Sequence, residues 1–301
     1  MTENVDVVVI GMGPGGEDAA GSLAEAGLRV VGIERTLVGG ECPYWGCVPS
    51  KMMIRAADLL AEARRIPGVA GAASVTPDWS PVARRIREQA TDNWDDRVAV
   101  ERFEGKGGIF VRGRGALAEP DKVTVDGTTY AASRAIVIAT GTSPSIPPVP
   151  GLDRVPYWTN HEAIEADSLP ASLIVLGGGA VGLELGQVFA RFGVSVTVVE
   201  ALDRLLPLEE PEVGHTVAEV LEREGITVRV NTGAMSASQG GDGITQMLST
   251  GEAITADRLL LATGRKANLD GLGIDTIGLD SGWRAGLVTS SPWRLAGYWR
   301  L

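Results

Sequence analysis

Hydrophobic residues along the chain fall into short continuous runs, separated by glycine-rich turns and by stretches with helical periodicity. The runs Val7–Ile10 and Leu173–Leu176 lack the alternation of a half-exposed strand, which predicts strands buried on both faces of a parallel sheet. Each run is followed by a glycine cluster, a helical stretch to about residue 26 or 192, and a second apolar strand, at Arg29–Ile33 or Ser195–Val199. The pattern therefore predicts an α/β protein containing two copies of a strand–turn–helix–strand unit.

The glycine clusters have the spacing of a dinucleotide-binding turn. Gly11 permits the tight turn, Gly13 lets the backbone approach a pyrophosphate, and Gly16 lets the helix pack closely on the strand. Glu34, at the end of the second strand, offers a carboxylate to ribose hydroxyls. The second copy has Gly177, Gly179, Gly182 and Glu200, and the acid follows the first glycine by 23 positions in both copies (11 to 34 and 177 to 200). Two dinucleotide sites are therefore predicted.

Weaker patterns fill the rest of the sequence. They predict helices at about 51–65, 81–100 and 212–224, and short strands at about 109–111, 122–125 and 135–139. Further strands are predicted between the last of these helices and Leu261. The proline-rich run Ile146–Gly151 can form neither a helix nor a central strand and is interpreted as a linker. Ala-Thr-Gly segments at 139–141 and 262–264 end a strand in each half and form a second internal repeat.

Composition narrows the classes of function. Hydrophobic residues make up 44% and charged residues 22% of the 301 residues, which indicates a globular chain long enough for about two domains. A net charge of −11 without a basic cluster argues against nucleic acid or an anionic membrane as a partner. The acidic N-terminus is unlike a signal peptide, and no apolar stretch is long enough to span a bilayer, so a cytoplasmic location is expected.

Candidate redox chemistry is concentrated in the loop 39–51, which holds both cysteines of the chain, Cys42 and Cys47. A zinc site is disfavoured because the two histidines, His161 and His215, lie far away in sequence. A structural disulfide is disfavoured because closing so short a loop removes little chain entropy. A redox dithiol fits the spacing better, and a helix beginning beside it would point its N-terminal amides at the sulfurs.

The histidines offer no second catalytic motif. His161 and His215 both lie among polar residues and have no ligand or nucleophile beside them in sequence, so both are interpreted as surface residues. A Ser-His-Asp triad is therefore unsupported. The acids in the segment 209–212 are interpreted as the solvated start of a helix.

Together, the two glycine turns, the segment Gly39–Lys51 and both Ala-Thr-Gly segments resemble the pyridine nucleotide–disulfide oxidoreductases. This is the flavoprotein family of dihydrolipoyl dehydrogenase, glutathione reductase and mercuric reductase, and the match covers about residues 5–275. The resemblance implies a three-layer α/β fold with two Rossmann-like dinucleotide-binding domains. FAD would occupy the first domain (1–145), which carries the dithiol, and NADH or NADPH the second (146–268).

The resemblance also implies roles for individual residues. Cys47 would lie against the flavin, and Cys42 would exchange with the substrate. Lys51 would approach the reactive nitrogen of the flavin and form an ion pair with Glu184. The other residues expected to contact a cofactor are Gly40, Gly115, Thr140, Gly141 and Gly264.

The nucleotide preference follows from Glu200. Its carboxylate can accept hydrogen bonds from a ribose and would repel a 2′-phosphate. No arginine cluster follows it, and Arg204 is preceded by Asp203. NADH is therefore expected to be preferred over NADPH, and no metal site is expected.

Two departures from the family pattern stand out. The residues Pro43–Gly46 between the cysteines are bulkier than in the best-known members, which leaves the substrate open. Longer relatives continue into a Gly-Asp motif that binds the ribityl chain of FAD and then into a dimerisation domain with a catalytic His–Glu pair, whereas this chain stops at Leu301. The C-terminal interface domain is therefore expected to be missing, and 269–301 is interpreted as a truncated or aberrant return segment to the FAD domain.

The leading hypothesis is an enzyme that passes electrons between NAD(P)H and a disulfide or dithiol, small or protein-bound, most like dihydrolipoyl dehydrogenase. A metal reductase like mercuric reductase is the alternative, although further thiols would be expected and the chain has only two cysteines. A catalytically impaired dinucleotide-binding fragment is the third hypothesis. Relatives are homodimers, and without the dimer domain we expect monomeric or aggregated material with low FAD occupancy and slow dihydrolipoamide turnover.

Overall fold

A computed structural model describes residues 1–277 of the chain, which fall into two compact units. Unit 1 comprises Met1–Tyr44, Thr91–Ser143 and the described residues from Lys266 to Ile277, and unit 2 comprises Trp45–Ala90 and Pro144–Arg265. The parallel sheets of both units confirm the predicted α/β fold class. Most of the segment predicted to return to the first domain (269–301) lies outside the described residues.

The elements of residues 1–277 are as follows. The helices are α1 (Pro14–Glu25), α2 (Glu41–Trp45), α3 (Cys47–Arg65), α4 (Ser80–Arg85), α5 (Arg97–Gly105), α6 (Asn160–Glu165), α7 (Ala180–Arg191) and α8 (Pro211–Arg223). The strands are β1 (Thr2–Ile10), β2 (Val30–Glu34), β3 (Ile109–Arg112), β4 (Ala116–Glu119), β5 (Lys122–Val125), β6 (Thr128–Ile138), β7 (Thr142–Pro144), β8 (Ser172–Leu176), β9 (Ser195–Val199), β10 (Thr227–Arg229), β11 (Ala234–Gly240), β12 (Gly243–Leu248), β13 (Ala253–Ala256), β14 (Arg258–Leu261) and β15 (Arg265–Ala267). Within this range no helix is both long and apolar enough to cross a bilayer.

Unit 1 is built on a six-stranded sheet in the order β3-β2-β1-β6-β5-β4. The first four strands are parallel, and β5 and β4 extend the sheet in antiparallel pairing. On one face Val7 and Val9 pack with Phe103 of α5, and on the other Val8 packs in a cluster with Leu272. The continuous apolar run of β1 is thus buried on both faces, as its lack of alternation predicts.

Unit 2 contains a parallel sheet in the order β10-β9-β8-β14 and an antiparallel sheet in the order β11-β12-β13. The strands β7 and β15 form a separate two-stranded sheet. One core cluster joins Ile174 and Leu259 of the parallel sheet with Ile244 of the antiparallel sheet. The sequence predicts strands between the helix at about 212–224 and Leu261, but it gives neither their bounds nor their antiparallel pairing, because they are short and lack a long apolar run.

The segment 45–90, predicted to lie in the first domain, belongs to unit 2. Helix α3 packs against α7, and Arg191 on α7 donates to Asp58 on α3 (Nη1 to Oδ1, 2.5 Å). The buried Trp79 donates its indole N–H to the carbonyl of Ala166 (2.7 Å). These contacts join residues far apart in sequence, which chain order alone does not show.

The continuous helix predicted at 81–100 is wrong. The structure has α4, a π-helical turn (Ile86–Ala90), a 3₁₀ turn (Asp92–Trp94) and then α5. Asp92, Asn93 and Trp94 have φ values of 49°, 56° and 58°, which an α-helix cannot contain. The short polar side chains of Asp and Asn tolerate this left-handed conformation, which explains where the helix breaks.

Candidate functional site

The first glycine turn joins β1 to α1 within unit 1. Gly11 has a φ of +94°, and a Cβ at this position would lie 2.4 Å from the carbonyl oxygen of Ala139. A Cβ on Gly16 would lie 1.9 Å from the carbonyl oxygen of Gly11, so only glycine allows the helix to approach the turn this closely. Gly13 faces open space, with no atom within 4 Å of a Cβ built on it. The middle glycine therefore leaves room for a ligand.

The second glycine turn, between β8 and α7 in unit 2, has the same construction. Gly177 has a φ of +110°, and a Cβ there would lie 2.3 Å from the carbonyl oxygen of Ala262. A Cβ on Gly182 would lie 2.5 Å from the carbonyl oxygen of Gly177. Gly179 again has no atom within 4 Å of a Cβ built on it. The sequence repeat is thus a structural repeat.

Both helices that follow these turns begin without a side-chain cap. Gly13 and Gly179 are the N-cap residues, in extended conformation, and neither has a side chain to accept from the first amides. By contrast, α6 begins with a complete capping box formed by Thr159 and Glu162. Uncapped amides at a helix N-terminus bind anions with the help of the helix dipole. The two 12-residue helices therefore fit the pyrophosphate of a dinucleotide.

Glu34 is buried at the end of β2 and braces the first turn. Its Oε2 accepts from the backbone N–H of Met12 (2.8 Å), the residue after Gly11. Its Oε1 accepts from the N–H and the hydroxyl of Thr36 (2.8 and 2.9 Å). The carboxylate therefore connects the glycine turn to the loop that follows β2, beside the position expected for a ribose.

Glu200 makes the equivalent contacts in unit 2. It is buried at the end of β9, and its Oε2 accepts from the N–H of Gly178 (2.6 Å). Its Oε1 accepts from the N–H of Leu202 (2.8 Å). In both copies the acid thus binds the residue after the first glycine and the residue two positions after the acid itself. The sequence predicted acids at these positions but not this bracing role.

The Ala-Thr-Gly segments end the strands beside the two turns. The N–H of Ala139 donates to the carbonyl of Ile10, and that of Ala262 to the carbonyl of Leu176, both at 2.8 Å. Gly141 (φ +65°) has no atom within 4 Å of a Cβ built on it. The matching residue of unit 2 is Gly264 (φ +111°), which faces open space in the same way.

The other predicted contact residues of unit 1 also lie near the first turn. Gly40 has a φ of +61°, and a Cβ there would lie 2.9 Å from the Cα of Gly13. A Cβ on Gly115 would lie 3.1 Å from Cγ2 of Ile10, at the end of β1. The carbonyl oxygen of Thr140, which follows β6, accepts from the side-chain amide of Asn268 (2.9 Å). Unit 1 therefore gathers these residues at one end of its sheet.

The two cysteines lie on consecutive helices. Cys42 is the second residue of α2, and Cys47 is the first residue of α3, whose N-cap Gly46 provides no side-chain cap. Both cysteine residues are half-buried. A helix thus begins beside the sulfurs, as the sequence predicts, and its first amides belong to the segment that contains Cys47.

The predicted pair of Lys51 and Glu184 is not formed. The amino group of Lys51 lies one turn after Cys47 and donates to the carbonyl of Cys47 (3.4 Å). Lys51 and Glu184 are both exposed, and within the described residues no ion pair joins them, although their helices α3 and α7 pack together in unit 2. The pairing of these two residues in the cofactor-bound protein therefore stays a prediction.

The two aromatic residues between the cysteines differ in burial and lie in different units. Tyr44 is buried in unit 1, with its hydroxyl 3.5 Å from the carbonyl oxygen of Asp95. Burial and the nearby carboxylates of Asp96 and Asp95 raise the pKa of Tyr44 to about 12, so its phenol stays protonated near neutral pH. Trp45 is half-buried in unit 2.

His161 was predicted to be a surface residue without a role, and the structure places it against Trp45, in the segment between the two cysteines. Its ring stacks on that of Trp45, with centroids 4.3 Å apart and an interplanar angle of 2°. Sequence analysis missed this contact because no motif or periodicity links residues so far apart. The exposed His215 on α8 agrees with its predicted surface position.

Comparison with known proteins identifies the family. The sequence model of the family described as pyridine nucleotide-disulphide oxidoreductase matches residues 5–294. The chain belongs to this family. It is 33% identical to a dihydrolipoyl dehydrogenase of Rhizobium etli (93% of this chain and 63% of that protein) and 36% identical to a mercuric reductase of Shigella flexneri (91% and 50%). A solved relative, the HOCl-induced flavoprotein disulfide reductase RclA of Escherichia coli, matches with a TM-score of 0.82 at 25% identity (95% and 62%).

Membership of the family confirms the predicted resemblance and makes this chain part of an oxidoreductase family of flavoproteins. The chain spans 50–63% of the length of these three relatives. In each unit the residues fit the ADP half of a dinucleotide. An open middle glycine, an uncapped helix N-terminus and a buried acid occur in the same arrangement in each.

Proposed function

We propose that this chain forms part of a flavoprotein disulfide reductase in which FAD binds at the first glycine turn and NADH binds at the second. Electrons would leave through Cys42 and Cys47 to a disulfide substrate. The observation that carries the proposal is the repeated site. The same turn, uncapped helix and braced acid occur twice, in a chain with a single cysteine pair. Transfer between two dinucleotides and a disulfide requires two such sites and one dithiol.

In this proposal the flavin supplies the two-electron exchange between nicotinamide and sulfur. The thiolate of Cys42 attacks the substrate disulfide, which forms a mixed disulfide and releases one substrate thiolate. The thiolate of Cys47 then attacks the Cys42 sulfur and displaces the second substrate thiolate. Both released thiolates take up protons, and the two electrons that reduce the substrate come from the two cysteines, which end as a disulfide.

The remaining residues would bind and orient the cofactors. The amides beside Gly13 and Gly179 would bind the two pyrophosphates, and Glu34 would orient a ribose at the first site. Lys51 would place a positive charge near the flavin, with Glu184 as its partner in the loaded protein. The Ala-Thr-Gly segments, which include Thr140, Gly141 and Gly264, would line the cofactors together with Gly40 and Gly115.

We expect NADH to bind at least about tenfold more tightly than NADPH, because the 2′-phosphate would lie beside the carboxylate of Glu200. Glu200→Gln removes the charge but keeps one acceptor oxygen for the turn, so it should narrow the difference mainly by improving NADPH binding. Quenching of protein fluorescence measures both dissociation constants. Glu34→Gln, at the other turn, is the matched control and should leave the ratio unchanged. Equal affinities in the unmodified protein would contradict the preference.

Counting thiols tests the proposed function directly. The protein is loaded with FAD, oxidised and then treated with NADH in the absence of oxygen. We expect two additional thiols per chain to react with a chromogenic disulfide reagent, and none without FAD. Reduction of the bound flavin by NADH without new thiols would refute the proposal.

A reductase of mercuric ion is the second candidate, since a mercuric reductase is among the similar proteins at 36% identity. In that case the dithiol would bind the metal ion as substrate, and NADH oxidation would be stimulated by mercuric ion. Comparing NADH oxidation with lipoamide and with mercuric ion, at equal concentration and with excess thiol, distinguishes the two substrates. We favour the disulfide because the chain offers only one pair of thiols.

A further inference from the structure

Trp45, in the segment between the two cysteines, is held by one short helix of unit 2. The side-chain amide of Asn160 donates to the carbonyl oxygen of Trp45 (2.8 Å). The ring of His161 stacks on the indole at a centroid distance of 4.3 Å. The indole N–H donates to Oε1 of Glu165 (2.6 Å). Three side chains of α6 therefore fix the backbone, the ring face and the ring edge of the same residue.

Helix α6 is itself firmly anchored. Its N-terminus carries the complete capping box of Thr159 and Glu162. Its apolar side, Ala163 and Ile164, is 0% and 2% exposed. A helix with a satisfied N-terminus and a buried face is a fixed support, so residues bound to it lose conformational freedom.

We propose that α6 positions the redox dithiol, with His161 and Glu165 as positioning residues that act through Trp45. This inference rests on the proposed function. A disulfide requires the two sulfurs to come within about 2 Å of each other in a narrow range of dihedral angles. A connecting segment that is already held loses less entropy when this bond closes, which raises the effective concentration of one thiol at the other.

The chemistry of the contacts supports positioning over simple burial. Filling space beside a half-buried indole would need only apolar side chains, whereas α6 supplies an amide donor, a flat ring and a carboxylate acceptor. Each is matched to a different part of Trp45. Loosening the contacts should therefore destabilise the disulfide relative to the dithiol and make the pair more oxidising.

The test measures the thiol–disulfide equilibrium constant in dithiothreitol redox buffers, with alkylated thiols counted by mass. It uses the full chain as purified. For His161→Ala combined with Glu165→Ala we expect the disulfide to be about tenfold less favoured, a shift of about 30 mV. The conservative pair His161→Phe and Glu165→Gln keeps a flat ring and an acceptor oxygen and should stay within about twofold of the unmodified protein. Near-UV circular dichroism, with Trp45→Phe as reference, reports whether the indole is still held.

Ile244→Val is the matched control, because it lowers the stability of unit 2 by about 1 kcal/mol in a core cluster that includes neither α6 nor Trp45. An equal shift in this variant would attribute the effect to general stability and overturn the inference. The inference would also be overturned if the double alanine variant lost the dichroism of Trp45 but kept the thiol–disulfide equilibrium constant of the unmodified protein. If the unmodified protein formed no Cys42–Cys47 disulfide in these buffers, the proposed function itself would fail.

Discussion

Replacing either cysteine by serine is expected to lower disulfide reduction by about 10³-fold or more, while NADH oxidation by an artificial electron acceptor continues. The loss is large because a single sulfur cannot complete the two-step exchange that releases both substrate thiolates. The acceptor takes electrons without using the dithiol, so its rate reports that the cofactors are bound and the chain is folded. Steady-state assays of FAD-loaded Cys42→Ser and Cys47→Ser with both acceptors measure the two effects.

Spectra of the same variants separate the roles of the two sulfurs. With Cys42 replaced, a Cys47 thiolate against the flavin should give a long-wavelength absorbance band, and with Cys47 replaced no band should form. Ser50→Ala, in the same first turn of α3, is the control and should keep both activities. Bands of equal strength in the two variants would show that the roles are misassigned. Unchanged disulfide reduction in either would remove the dithiol from the mechanism.

Substituting Gly16 by alanine should cost about 3 kcal/mol or more of unfolding free energy, because the added Cβ would lie 1.9 Å from the carbonyl oxygen of Gly11. The clash involves backbone on both sides, so no side-chain rotation relieves it. Separating α1 from β1 would be needed to make room. Denaturant unfolding followed by far-UV circular dichroism measures the loss.

Gly13→Ala is the matched comparison in the same turn. A Cβ at Gly13 meets no atom within 4 Å, so stability should change by less than about 1 kcal/mol, whereas FAD binding should weaken because the methyl group enters the expected pyrophosphate position. The pair Gly182 and Gly179 allows the same test in unit 2 with NADH. Stable Gly16→Ala protein, or Gly13→Ala protein that binds FAD normally, would contradict this account of the turn.

Much of this architecture could be predicted because it is encoded locally. Strand β9 was predicted with the bounds that the structure gives, and helix α8 to within one residue of them. A buried apolar strand, a turn that requires glycine at fixed positions and an amphipathic helix each leave a signal within about 30 residues. The first and third glycines are fixed by backbone contacts, which is why their spacing is informative.

What could not be predicted depends on contacts between distant residues. The helix α6 and the stack of His161 on Trp45 involve one helical turn and a half-buried ring, and neither leaves a pattern in the sequence. The same holds for the assignment of α3 to unit 2, which follows from its packing on α7 and the Asp58–Arg191 ion pair. Roles for Lys51 and Glu184 came from family resemblance, and in this structure their side chains do not pair.

The bracing of the glycine turn by Glu200 has a consequence for protein engineering. A single Glu200→Arg exchange, the obvious route to an NADPH-dependent variant, would remove the acceptor for the amides of Gly178 and Leu202. It would also bring a cation into a site where the native residue is only 9% exposed. In the proposed function, the choice of coenzyme and the geometry of the turn therefore depend on the same side chain. A successful redesign must supply a new acceptor for the turn together with the new phosphate contact, so several residues have to change at once.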